Sequence, residues 1–400
     1  MHGRKHTSNP AHRSERCAGN SDRRHQMAIG KMISSDSHII EPPDLWTTRL
    51  DRSLRDHGPR AVEIDGTQWW VLNNLKGLSF AGGAQTGDRF TKPEELRTGA
   101  LFDQVRPGGY KPLEHIKDSE ADGVYGSVMY PTQGLVLYTQ ANSEMLSACA
   151  RAYNDWLLEF CSAAPDRLKG VAMLNVDNVA EAVAEMRRTH SLGMAGAMIP
   201  VSPGPGRPYS LPEYEPLWAA ATELGIPLSM HLGANRVGAE GISSNMAAIR
   251  PSYFAICETW VKESVADMIF AGVFDRYPTL RMGVIEHELG WIPFFLNRMD
   301  YTYTQRHGNA NYYRFTTAEK PSDFFRRNVF CSFQDDELGI REREQIGMDG
   351  LCWGSDYPHT ESTFPRSQEI MGQRLRDVPY EERRRIVSGN CARLYGFKFQ

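Results

Sequence analysis

Histidines and carboxylates recur in four short stretches of this chain, each at the end of an apolar, β-prone run. Asp36 and His38 stand two apart in SSDSH, with Glu41 three residues beyond. His231 closes SMH, Glu286 and His287 are adjacent in GVIEHELGW, and Asp356 and His359 lie in WGSDYPH. Residues at i and i+2 of a strand face the same way, so Asp36 and His38 form a ready-made pair. Imidazole and carboxylate together suit iron, manganese or zinc. Burying so many ionisable groups without partners is too costly, and a cation resolves that cost. The chemistry expected is that of a metal centre, which can polarise an anionic oxygen or lower the pKa of bound water. No thiolate belongs to the set, so a closed structural zinc site is not expected.

The elements that must position these side chains alternate in type. Eight strand-like runs are expected at 32–36, 124–130, 168–174, 195–200, 227–231, 281–286, 328–333 and 351–355. Amphipathic runs at 143–163, 179–189, 215–224, 261–274, 291–306 and 336–346 separate them. Strands alternating with helices imply a parallel sheet, and eight such units close into a (β/α)8 TIM barrel. In that fold all the strand ends named above converge on one mouth. Residues 47–112 break the repeat and are rich in Gly, Thr, Arg and aromatics; they are read as a lid inserted after the first strand. Residues 232–258 are read as a second lid element. The segment 380–397 reads as a closing helix. Residues 1–31 carry seven Lys or Arg against two acids and almost no large apolar residue, a composition read as a disordered basic leader before a barrel spanning 32–400.

The chain has 400 residues, 41% hydrophobic and 24% charged, with a formal net charge of −4. That balance excludes collagen, coiled coil and wholesale disorder, and argues against a nucleic-acid or membrane partner. Seven cysteines without a CxxC spacing are expected to be buried thiols in a reducing cytoplasm. Neither GxSxG nor GxGxxG is present, which disfavours a serine hydrolase or an NAD enzyme. GPGRP at 204–208, GDRF at 87–90 and RPGGY at 106–110 read as turns, with Arg106 as a surface arginine. Trp46, Trp291 and Trp353 lie next to the proposed ligands and are expected to wall the pocket or fill the barrel core.

SSDSHIIEPPDLW, SMHLG, IEHELGWIP and WGSDYPH together resemble the amidohydrolase superfamily, in the branch of the ACMSD-type decarboxylases. The resemblance runs from about Met32 to Phe397. It implies the barrel and a metal site. The family's first-strand H-x-H falls on Asp36 and His38, its two later histidines on His231 and His287, and its last-strand Asp on Asp356. The first His is Asp36 here. The lysine that many dinuclear hydrolases carbamylate is missing from AGAMIPVSP, which weakens an ordinary hydrolase reading.

On that resemblance, Asp36, His38, His231 and Asp356 satisfy one metal, and Glu286, His287, His359 and Glu41 remain. Eight donors exceed one octahedral ion, so two divalent ions about 3.5–4 Å apart are expected, bridged by Glu286. The carboxylate-rich set is similar to a branch of dinuclear non-haem iron monooxygenases. Hydroxylation of a small organic acid or acyl conjugate is therefore ranked first, using O2 and an external reductant, with iron ahead of manganese or zinc. The alternative is non-oxidative decarboxylation or hydrolysis at zinc or manganese, with His231 or Glu286 moving the proton. A third reading is a non-catalytic partner subunit with the same barrel. A homo-oligomer is compatible with each.

Overall fold

A computed structural model gives the fold and describes residues 29–72, 75–236, 251–306 and 313–398. Nearly all of the expected leader, and 237–250 within the expected second lid element, lie outside the described residues.

Eight parallel strands form one sheet in sequence order: β1 (Met32–His38), β5 (Val124–Tyr130), β6 (Leu168–Met173), β7 (Gly196–Ile199), β8 (Leu228–His231), β9 (Met282–Ile285), β10 (Val329–Phe333) and β11 (Leu351–Trp353). Each falls within two residues of its expected bounds. Runs such as GAMI, LSMH and GVI are buried along their whole length, as strands covered by helices outside and core inside must be. The covering helices start where the sequence supplies a cap. The Asn142 side chain accepts from Met145 N–H at the head of Ser143–Ser162, and Asn178 does the same for Glu181 before Val179–Ser191. The expected closing helix runs from Tyr380 to Tyr395 with one wide turn at Arg385–Gly389. Its Tyr395 hydroxyl lies 3.0 Å from that of Tyr130 and 3.3 Å from Ser229 Oγ, so a polar knot fills the barrel interior there.

The barrel closes between β11 and β1 by a different device. Asp356 N–H donates to the Asp36 carbonyl (2.9 Å) and His38 N–H to the Tyr357 carbonyl (2.7 Å). Serines stitch the rest: Ser35 Oγ donates to the Trp353 carbonyl (3.0 Å), and Ser355 N–H donates to Ser34 Oγ (2.9 Å). A Cβ on Gly354 would sit 2.6 Å from Asp36 Cβ, so only glycine lets the first and last strands approach this closely.

Between β1 and β5 the chain builds a three-stranded antiparallel sheet, β2 (Arg60–Ile64), β3 (Thr67–Leu72) and β4 (Leu75–Ser79). An aromatic chain ties it into the barrel's core: Trp46 against Trp70 (4.8 Å between ring centres), Phe80 against Phe102 (5.2 Å), Phe102 against Tyr110 (4.7 Å). This insertion bonds to the loops after β5 and β11. Gln133 Nε2 donates to the Ser79 carbonyl, Thr360 Oγ1 to Gly82 and Thr86 Oγ1 to Pro358. No helix among the described residues is long and apolar enough to cross a membrane.

Candidate metal centre

Asp36 and His38 leave β1 on one face, as their spacing requires, and meet His231 at the end of β8. His38 Nε2 and His231 Nε2 are 3.1 Å apart. Asp36 Oδ1 lies 3.4 Å from the first and 3.3 Å from the second. Asp356, just past β11, brings Oδ1 to 3.3 Å from His38 Nε2. All four side chains are buried. Glu286, just past β9, joins the group from the rim, its Oε2 3.6 Å from His231 Nδ1 and its side chain 17% exposed.

Backbone carbonyls set the tautomers. His38 Nδ1 is 2.8 Å from the Pro131 carbonyl and His231 Nδ1 is 2.8 Å from that of Leu232. A carbonyl only accepts, so each Nδ1 carries the proton and each Nε2 turns a lone pair into the centre. Two lone pairs facing each other at this distance repel unless a cation lies between them. Asp36 Oδ2 and both Asp356 oxygens are buried without a hydrogen bond, His359 Nδ1 lying near Asp356 Oδ1 but off the bonding axis. These orphaned donors, all of ligand type, fit a divalent cation.

Without a cation the group is electrostatically frustrated. Burial, and then His359, drive His38 down to about 3. Burial raises Asp356 well above the carboxylate range, and Glu361 and Asp36 add to it. Glu286 is raised likewise by burial and then by Asp356. Burial opposes a charge on His231, but Asp36 and Glu286 outweigh it and raise its pKa. The backbone is strained at the same places: Glu286 (φ 62°) and Asp356 (φ 59°) adopt the left-handed conformation, which costs a non-glycine residue about 1–3 kcal/mol.

Other expected ligands are placed differently. Glu41 does not reach the centre. Its carboxylate accepts from the backbone N–H groups of Thr132 (3.2 Å), Gln133 (2.9 Å) and Gly134 (2.9 Å), anchoring the loop after β5. His287 donates Nδ1–H to the Ile285 carbonyl (2.8 Å) and lies at the mouth, outside the groups of donors close enough to share an ion. His359 comes together with His38 and Asp356, but its Nε2 is engaged by Thr132 Oγ1 at 2.8 Å. Arg106 is not a loose surface cation; it pairs with Asp118 through two hydrogen bonds of 2.6–2.7 Å. Trp46 packs on Trp70 and donates to the Cys149 carbonyl, so it belongs to the core.

Two groups escaped the sequence reading. Glu361 meets Glu286 and Asp356 at the rim, and no motif letter marks it. Arg89 looks like turn chemistry in GDRF, yet its buried Nε has no partner and, among the described residues, its guanidinium forms no ion pair. Burial lowers its pKa, and Asp335, Glu361 and Asp356 are the acids that act on it.

A family model described as amidohydrolase matches residues 111–397. A gamma-resorcylate decarboxylase of Rhizobium sp. (strain MTP-10005) is 25% identical over 296 residues, 68% of this chain and 86% of its own. The 2-amino-3-carboxymuconate-6-semialdehyde decarboxylase of Dictyostelium discoideum is 22% identical over 76% of this chain and 82% of its own. In fold, the chain is similar to an amidohydrolase from Mycobacterium avium subsp. paratuberculosis K-10 (TM-score 0.72, 22% identity, covering 92% of this chain and 99% of that one). It is also similar to a dihydroxybenzoic acid decarboxylase from Polaromonas sp. JS666 with bound manganese and the inhibitor 2-nitroresorcinol (TM-score 0.62, 16% identity, 93% and 98% covered).

Proposed function

Because this chain belongs to the amidohydrolase family, we propose that it is a metal-dependent decarboxylase of a small hydroxylated aromatic or unsaturated acid, acting without O2. The observation that carries this reading is the group of Asp36, His38, His231 and Glu286, whose ligand atoms all lie within 4.8 Å of one another, with the orphaned Asp356 Oδ1 3.3 Å from His38 Nε2. Decarboxylases among the relatives support it, and so support moves from hydroxylation, ranked first on sequence, to the alternative. The donors that would have completed a dinuclear iron site point the same way, since Glu41 is spent on backbone N–H groups.

A divalent cation held by Asp36, His38 and His231, with Asp356 beside His38, would supply Lewis-acid charge for the substrate's anionic oxygens, manganese on the precedent of the Polaromonas enzyme. The chain's own residues do the rest. Burial and neighbouring acids favour the protonated form of Glu286, the form a proton donor needs. It delivers that proton to the substrate carbon bearing the carboxylate. A C–H bond forms, the C–C bond breaks, its electron pair returns to the π-system and CO2 leaves. Glu286, partly exposed at the rim, is then reprotonated from water. His287 turns its Nε2 lone pair toward a substrate hydroxyl, since Nδ1–H is tied to Ile285. Arg89, without an acid of its own, draws an anionic substrate toward the mouth. The insertion after β1 serves as a lid over that mouth.

The test is anaerobic incubation of manganese-loaded protein with hydroxybenzoates and carboxylated unsaturated acids in D2O. CO2 release with one deuterium at the vacated carbon is expected. A product that gains oxygen, or that forms only in air, refutes the reading.

A further inference from the structure

His359 was expected among the ligands, but its surroundings define a different task. The ring stacks on His38 with centres 4.0 Å apart and planes at 29°. Its Nδ1 is 2.8 Å from Asp356 Oδ1. The contact is off the hydrogen-bonding axis, so the ring packs against the carboxylate without donating to it. Nε2 is held by the Thr132 hydroxyl at 2.8 Å. Thr132 is itself held. Its backbone N–H and those of the next two residues converge on the buried Glu41 carboxylate. Three strand ends are thereby joined in one line: Glu41 after β1, Thr132 after β5, and His359 with Asp356 after β11.

We propose that Thr132 is a positioning residue for the metal centre: its hydroxyl fixes the tilt of His359, whose ring packs on His38 and against the Asp356 carboxylate and so holds both toward the cation. This rests on the metal-centre reading above and adds a residue that touches neither metal nor substrate. A ligand aimed by a neighbour loses affinity when the neighbour goes, typically 10- to 100-fold. The hydroxyl matters and the methyl does not. Thr132→Val keeps the shape and removes the hydroxyl, whereas Thr132→Ser keeps it.

The experiment measures Mn2+ affinity by titration calorimetry of the full chain stripped with chelator, for wild type, T132V, T132S, H359A and the T132V/H359A double variant. T132V is expected to bind Mn2+ about 10- to 100-fold more weakly, and T132S within about 3-fold of wild type. If Thr132 acts only through His359, the double variant binds no more weakly than H359A alone. Unchanged affinity in T132V overturns the proposal, as does failure of serine to rescue, or additive losses in the double variant. Absence of Mn2+ binding by wild type instead refutes the metal-centre reading beneath it. Melting of each apo protein separates misfolding from lost affinity.

Discussion

Replacing Asp356 by Asn moves stability in opposite directions with and without metal. Asp356 is fully buried, neither of its oxygens accepts a hydrogen bond, and burial with Glu361 and Asp36 pushes its pKa well above the usual range. At neutral pH the metal-free protein must either hold a charge in a hostile site or bind a proton there. Leaving such a group unsatisfied costs roughly 1–3 kcal/mol. Asn keeps the shape and removes the charge. It also tolerates the left-handed backbone at this position (φ 59°), so no strain is added. The apo variant should therefore be more stable than apo wild type by about 1–3 kcal/mol, or roughly 1–4 °C in a chain of this length. Wild type should recover about 2.7 kcal/mol when free Mn2+ stands at 100 times its Kd, and the variant should recover almost none. Differential scanning fluorimetry with chelator and with Mn2+ reads both effects. An apo variant less stable than wild type, with wild type indifferent to Mn2+, would show that Asp356 is a structural acid and no ligand.

Glu286→Gln should keep Mn2+ bound while lowering kcat by about 10²- to 10⁴-fold, because the amide cannot deliver the proton; full activity in this variant removes Glu286 from the proton path. His115 offers a pH test away from the centre. It is buried between the Gly108 carbonyl and Ser127 Oγ, and burial holds its pKa near 4. Between pH 6.5 and 4 the unfolded chain takes up a proton there and the folded chain does not, so stability is present above the window and falls as pH drops through it. The shift corresponds to about 3 kcal/mol, and His115→Gln should flatten that part of the stability–pH curve measured by urea unfolding. A curve as steep as wild type would place the acid sensitivity elsewhere.

The barrel strands were legible because a buried parallel strand needs a short unbroken apolar run, and the runs around Gly196, Leu228 and Met282 are of that kind. The helices Pro112–Ala121, Pro321–Asn328 and Ser367–Arg374 were not, being short and polar on much of their surface. The pairing of Asp36 and His38 was legible because strand spacing alone aims them together. Glu41 misled because its partners are main-chain N–H groups, which leave no letter in the sequence. Glu361 and Arg89 could not be placed because each depends on how a loop turns. Arg89 follows Gly87, whose φ of 84° redirects the chain toward Pro365.

The serine-stitched join between β1 and β11 gives the centre a mechanical meaning. Asp36 stands on one lip of that join and Asp356 on the other, from opposite ends of the barrel's sequence. On the proposed function, an ion bound beside this join would work as a buckle, fastening the hoop where its backbone fastening is thinnest. Loading the ion and tightening the scaffold would then be one event, and the protein emptied of its ion would slacken first at the join.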